Sequence, residues 1–144
     1  MFKHMLITTD GSPLAERAFP VALEQAKLNG ARVTGVMVTD MTPYYMAIEV
    51  MPTGLDDLQK ALHTEAALAV NKIAEAAKHA GVECTTAVED NPQPWRGILD
   101  VAERQGCDVI AMSSHGRSGL VSIVLGSQTS RVLSHCSIPT LVIR

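Results

Sequence analysis

Short apolar runs rich in β-branched residues alternate along the chain with longer segments of helical spacing. Met5 to Thr9 reads as a first strand, and Asp10-Gly11-Ser12-Pro13 ends it. Ser12 is suited to cap a helix whose first turn holds Pro13, where no N–H bond is lost. Ala15, Ala18, Phe19, Ala22, Leu23 and Ala26 then recur at helical spacing. Pro20 lies inside that pattern and is expected to kink the helix or force a local bulge, and Asn29-Gly30 stops the helix. Val33 to Thr39 is a second strand, apolar almost without alternation, as a parallel strand covered on both faces would be. The connection 40–54, rich in Met, Tyr and Pro, reads as a loop packed on its own helix in preference to a lid or contact surface.

Thr53-Gly54-Leu55-Asp56 resembles a capping box with Asp in place of Glu, and opens the longest helix. Leu58, Leu62, Ala66, Ala69, Ile73 and Ala76 mark one face of it, and Gly81 ends it. A third strand, Val82 to Val88, leads through a turn to a helix bearing Trp95, Ile98, Leu99 and Ala102, stopped by Gly106. Cys107 to Met112 is a fourth strand, Ser127 to Ser134 a last helix with Val132 and Leu133 facing inward, and Pro139 to Ile143 a fifth strand. Strands alternating with helices predict an α/β fold with a parallel sheet built from right-handed βαβ units.

A chain of 144 residues fits one domain, residues 1–144, and a domain this size buries roughly two-thirds of its unfolded surface. With 47% apolar but only 3% aromatic residues, the core must be aliphatic. The net charge of −3 and the lack of a basic cluster argue against nucleic-acid binding. Cys84, Cys107 and Cys136 form no C-x-x-C pair and read as reduced structural thiols of a cytoplasmic protein. No signal-peptide pattern opens the chain, and no apolar run approaches the ~20 residues of a membrane helix.

Candidate chemistry concentrates between Met112 and Thr129, M-S-S-H-G-R-S-G-L-V-S-I-V-L-G-S-Q-T. A strand, a loop of small residues and a helix start together make an anion site, since the free N–H groups and the helix dipole both favour negative charge there. Glycine lets the backbone approach a phosphate closely. An ordinary Ser- and Gly-rich βα connection would look much the same.

Within this stretch the chain resembles the universal stress proteins that bind ATP, which carry G-x2-G-x9-G-[ST]. Gly116, nine intervening residues and Gly126-Ser127 match the second part, while Ser113 stands where the first glycine belongs. The Asp10 region and the closing I-P-T-L-V-I-R are also similar to that family. The resemblance implies an open five-stranded parallel sheet of order 3-2-1-4-5 with helices on both faces, a Rossmann-like fold akin to the adenine nucleotide alpha hydrolases. It also implies a homodimer through antiparallel pairing of strand 139–143. Ligands bind such sheets beyond the carboxyl ends of the strands where the order reverses, here between the first and fourth strands.

The residues matching the family's site are Thr8, Thr9 and Asp10 toward the adenosine, the Val38 backbone toward adenine, and Gly116, Gly126 and Ser127 toward phosphate and ribose. Asp10 would be a poor neighbour for phosphate, which places it at the base end; it also suits a turn that bonds nearby N–H groups. Met112 and Ser113 end the fourth strand at the cleft. Gln128 and Thr129 add N–H groups and a hydroxyl at the helix start. Arg117 offers a charge to the triphosphate, or is a solvated loop arginine. His115 donates to a phosphate or bonds the loop. The Cβ of Ser113 restricts its dihedrals. If the family glycine has positive φ, affinity drops, and Ser113→Gly would recover some of it.

No Walker sequence, H-E-x-x-H or G-x-S-x-G occurs, and His4, His63, His79 and His135 show no metal spacing. A triad of Asp10, His115 and a serine is disfavoured by the loop placement. The expectation is a cytoplasmic stress-response protein that binds ATP, with Mg2+ brought by the polyphosphate, and turns it over slowly or not at all. The alternatives are a stress protein without nucleotide that acts through protein contacts, which Ser113 favours and Gly126-Ser127 opposes, and a slow ATP hydrolase.

Overall fold

A computed structural model describes residues 1–47, 54–116 and 125–144. Along the chain run β1 (His4–Thr8), α1 (Pro13–Glu16), α2 (Phe19–Asn29), β2 (Arg32–Thr39), α3 (Thr42–Met46) and α4 (Leu55–Ala80). β3 (Cys84–Asp90), α5 (Pro94–Gln105), β4 (Val109–Ser113), α6 (Ser127–His135) and β5 (Thr140–Ile143) follow. The strands form one parallel sheet of order β3-β2-β1-β4-β5, as the family resemblance implies.

Alternation along the strands divides the core into two layers. Met5, Ile7, Val33, Val109 and Ala111 pack with Phe19, Leu23, Ile73 and Ala77 of α2 and α4. Leu6, Val36, Ile110 and Met112 pack on the opposite side with Ile98, Val101 and Ala102 of α5 and Val132 of α6. The near-continuous apolar reading of β2 is thereby explained. α4 seats closely on β2 at Gly35, where a Cβ would lie 3.1 Å from three Ile73 carbons.

Local chemistry sets the helix ends. The Ser12 hydroxyl accepts the Ala15 N–H at 3.2 Å and caps α1. Pro20 breaks the helical pattern rather than kinking it. α1 stops at Glu16, and α2 restarts at Phe19 with Pro20 in its first turn, where its missing N–H leaves no carbonyl unpaired. The N-cap of α4 is Gly54, at φ 106°, which has no side chain to offer, and the Thr53 of the expected capping box lies outside the described residues. Asp56 and Asp57 in the first turn favour the helix dipole instead. Leu133 was expected inside and is 42% exposed, because the buried stripe of α6 runs through Thr129 and Val132. Of the connection 40–54, Met41 is buried and α3 follows it, and residues 48–53 lie outside the described residues.

One polar thread, buried at His4 and Thr34 and reaching the exposed Thr85, crosses the sheet away from the carboxyl ends of the strands. His4 Nε2 meets the Thr34 hydroxyl at 2.8 Å, which in turn meets the Thr85 hydroxyl at 3.0 Å. Burial, helped by the charge of Arg32, holds the His4 pKa below its ordinary 6.5. The unfolded chain therefore binds the proton more readily, and stability must fall as pH drops through 6.5 toward the folded value. We expect urea midpoints to decline between about pH 7 and pH 5, and His4→Gln to flatten that decline. An unchanged pH slope in the variant would show that His4 is not the group responsible.

Candidate functional site

The sheet reverses its winding between β1 and β4, so the chain leaves their carboxyl ends in opposite directions and a crevice opens. A cleft of about 410 Å³ lies there. Every site residue expected from sequence that is described lines it: Thr8, Thr9, Asp10, Val38, Met112, Ser113, His115, Gly116, Gly126, Ser127, Gln128 and Thr129. Arg117 lies outside the described residues.

One end of the cleft is built by α6 and the turn after β4. Gly126 is the N-cap of α6 and makes no side-chain cap bond, and Ser127, Gln128 and Thr129 of the first turn line the cleft. The Gly126 N–H donates to the Ser114 carbonyl at 2.8 Å, clamping the helix start onto the turn. Neither motif glycine is required by a left-handed backbone, since Gly126 has φ −56° and Gly116 is not among the positive-φ residues. Contact requires them. A Cβ on Gly126 would lie 3.2 Å from the Ser114 carbonyl oxygen, and one on Gly116 only 2.3 Å from Asp10 Oδ2.

Asp10 therefore reaches the Gly116 turn and is not confined to the base end of the cleft. Its other oxygen accepts the Ser12 N–H at 2.9 Å, so the turn role holds as well. Ser113 carries no backbone strain. It is the last residue of β4, paired with Ile143, and no described residue other than glycine has positive φ. The expected affinity penalty from its dihedrals is thus removed. Its carbonyl accepts the Thr129 hydroxyl at 2.9 Å, so that hydroxyl is engaged with the strand end. His115 Nδ1 meets the Ser114 hydroxyl at 3.0 Å, as a loop-bonding role requires.

The opposite end of the cleft is a strand end. The Thr9 N–H donates to the Val36 carbonyl at 2.9 Å, near the last pairing between β1 and β2. Two residues on, alternation turns the Val38 N–H and C=O toward the same side, beyond the end of β1. Val38 is held from behind by α5, where a Cβ on Gly97 would fall 2.8 Å from its Cγ1. Asp10, Asp40 and Glu65 supply carboxylates, and the described lining residues include no Lys or Arg.

Thr39, Asp40, Tyr44, Leu62, Glu65, Pro94 and Ile98 also line the cleft and were not assigned to it from sequence. Thr39 and Asp40 follow Val38 directly, and Leu62 and Glu65 share one face of α4 at i, i+3, so the strand end and the helix face carried that signal. No group of three or more His, Cys, Asp or Glu among the described residues could hold a metal ion. No helix among them is long and apolar enough to cross a membrane.

The fold and cleft define an open parallel α/β domain with a crevice at its strand-order reversal, and comparison with known proteins gives its family. A family model described as the universal stress protein family matches residues 1–144, and the chain belongs to that family. A universal stress protein of Thermus aquaticus is 32% identical over 144 residues, covering 100% of both chains. The solved structure of MJ0577, a Methanocaldococcus jannaschii universal stress protein, superposes with a TM-score of 0.84 at 29% identity, covering 99% of this chain and 96% of that one. A universal stress protein from Archaeoglobus fulgidus, solved in complex with dAMP, shares the fold with a TM-score of 0.69 at 20% identity, covering 100% of this chain and 98% of that one.

Proposed function

We propose that the cleft binds ATP and that the protein serves a stress-response or regulatory role in the cytoplasm, with slow turnover or none. The observation that carries this reading is the cleft's polarity. The start of α6, with glycine at its N-cap and pressed on the 113–116 turn, offers N–H donors at one end, and the Val38 strand end offers a paired donor and acceptor at the other. Phosphates take the first and adenine the second. Asp10, between β1 and the Gly116 turn, suits the ribose hydroxyls. Mg2+ accompanies the polyphosphate and offsets its charge near carboxylates. The dAMP complex of a relative of this fold supports an adenine nucleotide as the class of ligand. Saturable heat on titration with ATP, at one site per chain, is the expected result. No general base is evident beside the proposed phosphates, and little phosphate release should accompany binding.

One observation favours a rival in which the protein acts only through protein contacts. Three carboxylates and no lysine or arginine among the described lining residues make a poor attractor for a free polyanion. A null ATP titration would select it.

We also propose a homodimer through β5, which among the described residues has only β4 beside it and so ends the sheet. Leu141 and Val142 there are half-buried, and an apolar edge of this kind invites pairing across a two-fold axis. Light scattering at tens of micromolar, roughly the range of a standard interface, should return the mass of two chains. A monomer would refute the pairing.

A further inference from the structure

The starts of α5 and α6 both border the cleft, and the described residues use them differently. At α5 the first residue is Pro94, which has no N–H, and the Arg96 and Gly97 N–H groups donate to the Gln93 carbonyl at 2.9 and 3.1 Å. That leaves the Trp95 N–H. It donates at 2.9 Å to Gln128 Oε1, which comes from the first turn of α6. Gln93, the N-cap of α5, makes no side-chain cap itself. α6 therefore caps α5 from outside, while the N-cap of α6 itself is a glycine with no side chain to offer. A second contact ties the same pair, because the Trp95 ring stacks on His135 in the last turn of α6 with centroids 4.4 Å apart.

We propose that Gln128 is a positioning residue of the anion end: its side chain closes the α5 start and fixes the first turn of α6, so that a phosphate is directed to α6 alone. This rests on the nucleotide reading above and extends it to a side chain that the glycine motif does not specify. The Gln128 amide contributes through its oxygen, which must stay an acceptor, and through its neutrality, since a charge there would stand beside the phosphates.

Two substitutions separate those properties. Gln128→Leu keeps the bulk and removes the acceptor. Gln128→Glu keeps the acceptor and adds a charge. ATP and adenosine are titrated calorimetrically into the native chain and both variants. Amide exchange at Trp95 and emission from the chain's single tryptophan are followed without ligand. In Gln128→Leu the Trp95 amide should exchange faster, its emission should shift, and ATP should bind roughly five- to tenfold more weakly, the loss of about one hydrogen bond. Adenosine binding should stay unchanged. In Gln128→Glu the Trp95 amide should remain protected, yet ATP should weaken while adenosine does not. A folded Gln128→Leu chain that binds ATP like the native one overturns the proposal, and so does equal weakening of ATP and adenosine. An unaltered Trp95 amide in that variant removes the clasp whatever the nucleotide does. If the native chain binds neither ligand, the nucleotide reading itself falls, a result distinct from any difference between variants.

Discussion

Gly126→Val is expected to abolish ATP binding while the sheet remains folded. The Gly126 backbone is one that valine adopts readily, so the effect is not dihedral strain. A Cβ alone would stand 3.2 Å from the Ser114 carbonyl oxygen and 3.6 Å from His115 Cα. Two further methyl groups cannot enter without parting the α6 start from the turn and stretching the 2.8 Å bond between Gly126 N–H and Ser114. Overpacking of this kind displaces backbone by about 1–3 kcal/mol. Here the displaced atoms are the ligand's own donors, so affinity should fall roughly a hundredfold or more. The contact lies at the cleft and not between sheet and helices, and the far-UV circular dichroism should be unchanged. Ser113→Gly is the contrast. With no strained dihedral at Ser113 to relieve, it should bind ATP within about twofold of the native chain. A folded Gly126→Val protein with native affinity would place the phosphates elsewhere.

Most of the fold was legible in the sequence, and the exceptions share a cause. Strand runs such as Met5 to Thr9 and Val33 to Thr39 are buried on both faces, and burial imposes composition directly. Helix ends are set by a single bond or a single backbone angle, so Pro20 restarted a helix where a kink or bulge was expected, and α4 starts from Gly54 in a left-handed backbone conformation. Leu133 lies one position beyond the buried Val132, about 100° around a helix, and apolar character alone cannot resolve that rotation. The cleft lining was legible where the backbone makes it, at the glycine motif and at Asp10 and Val38. The neighbours of the glycines were not. Sequence suggested room for a ligand's close approach, whereas the structure gives a carboxylate beside Gly116 and a carbonyl beside Gly126. Contacts between distant side chains, such as Gln128 with Trp95 or His4 with Thr34 and Thr85, leave no local pattern for sequence to display.

Discrimination between bases is the other large expected effect. In the proposed complex an outward N–H and C=O at the Val38 strand end would meet the base edge-on. Adenine presents an amino donor and a ring-nitrogen acceptor in the matching order, whereas guanine presents an oxygen and a ring N–H in the reverse order. GTP would set oxygen against oxygen and N–H against N–H inside a partly closed cleft. Asp40 and Glu65 at the cleft wall add further acceptors that the guanine oxygen cannot satisfy. Losing two such bonds while leaving the polar groups facing like partners costs about 2–4 kcal/mol, a preference for ATP of roughly thirty- to a thousandfold. The most direct measurement is a calorimetric titration of the native chain with ATP and with GTP, each with and without Mg2+. The account predicts saturable binding of ATP at one site per chain, stronger with Mg2+, and GTP binding weaker by at least an order of magnitude. No heat with ATP, or equal affinity for the two nucleotides, would contradict it.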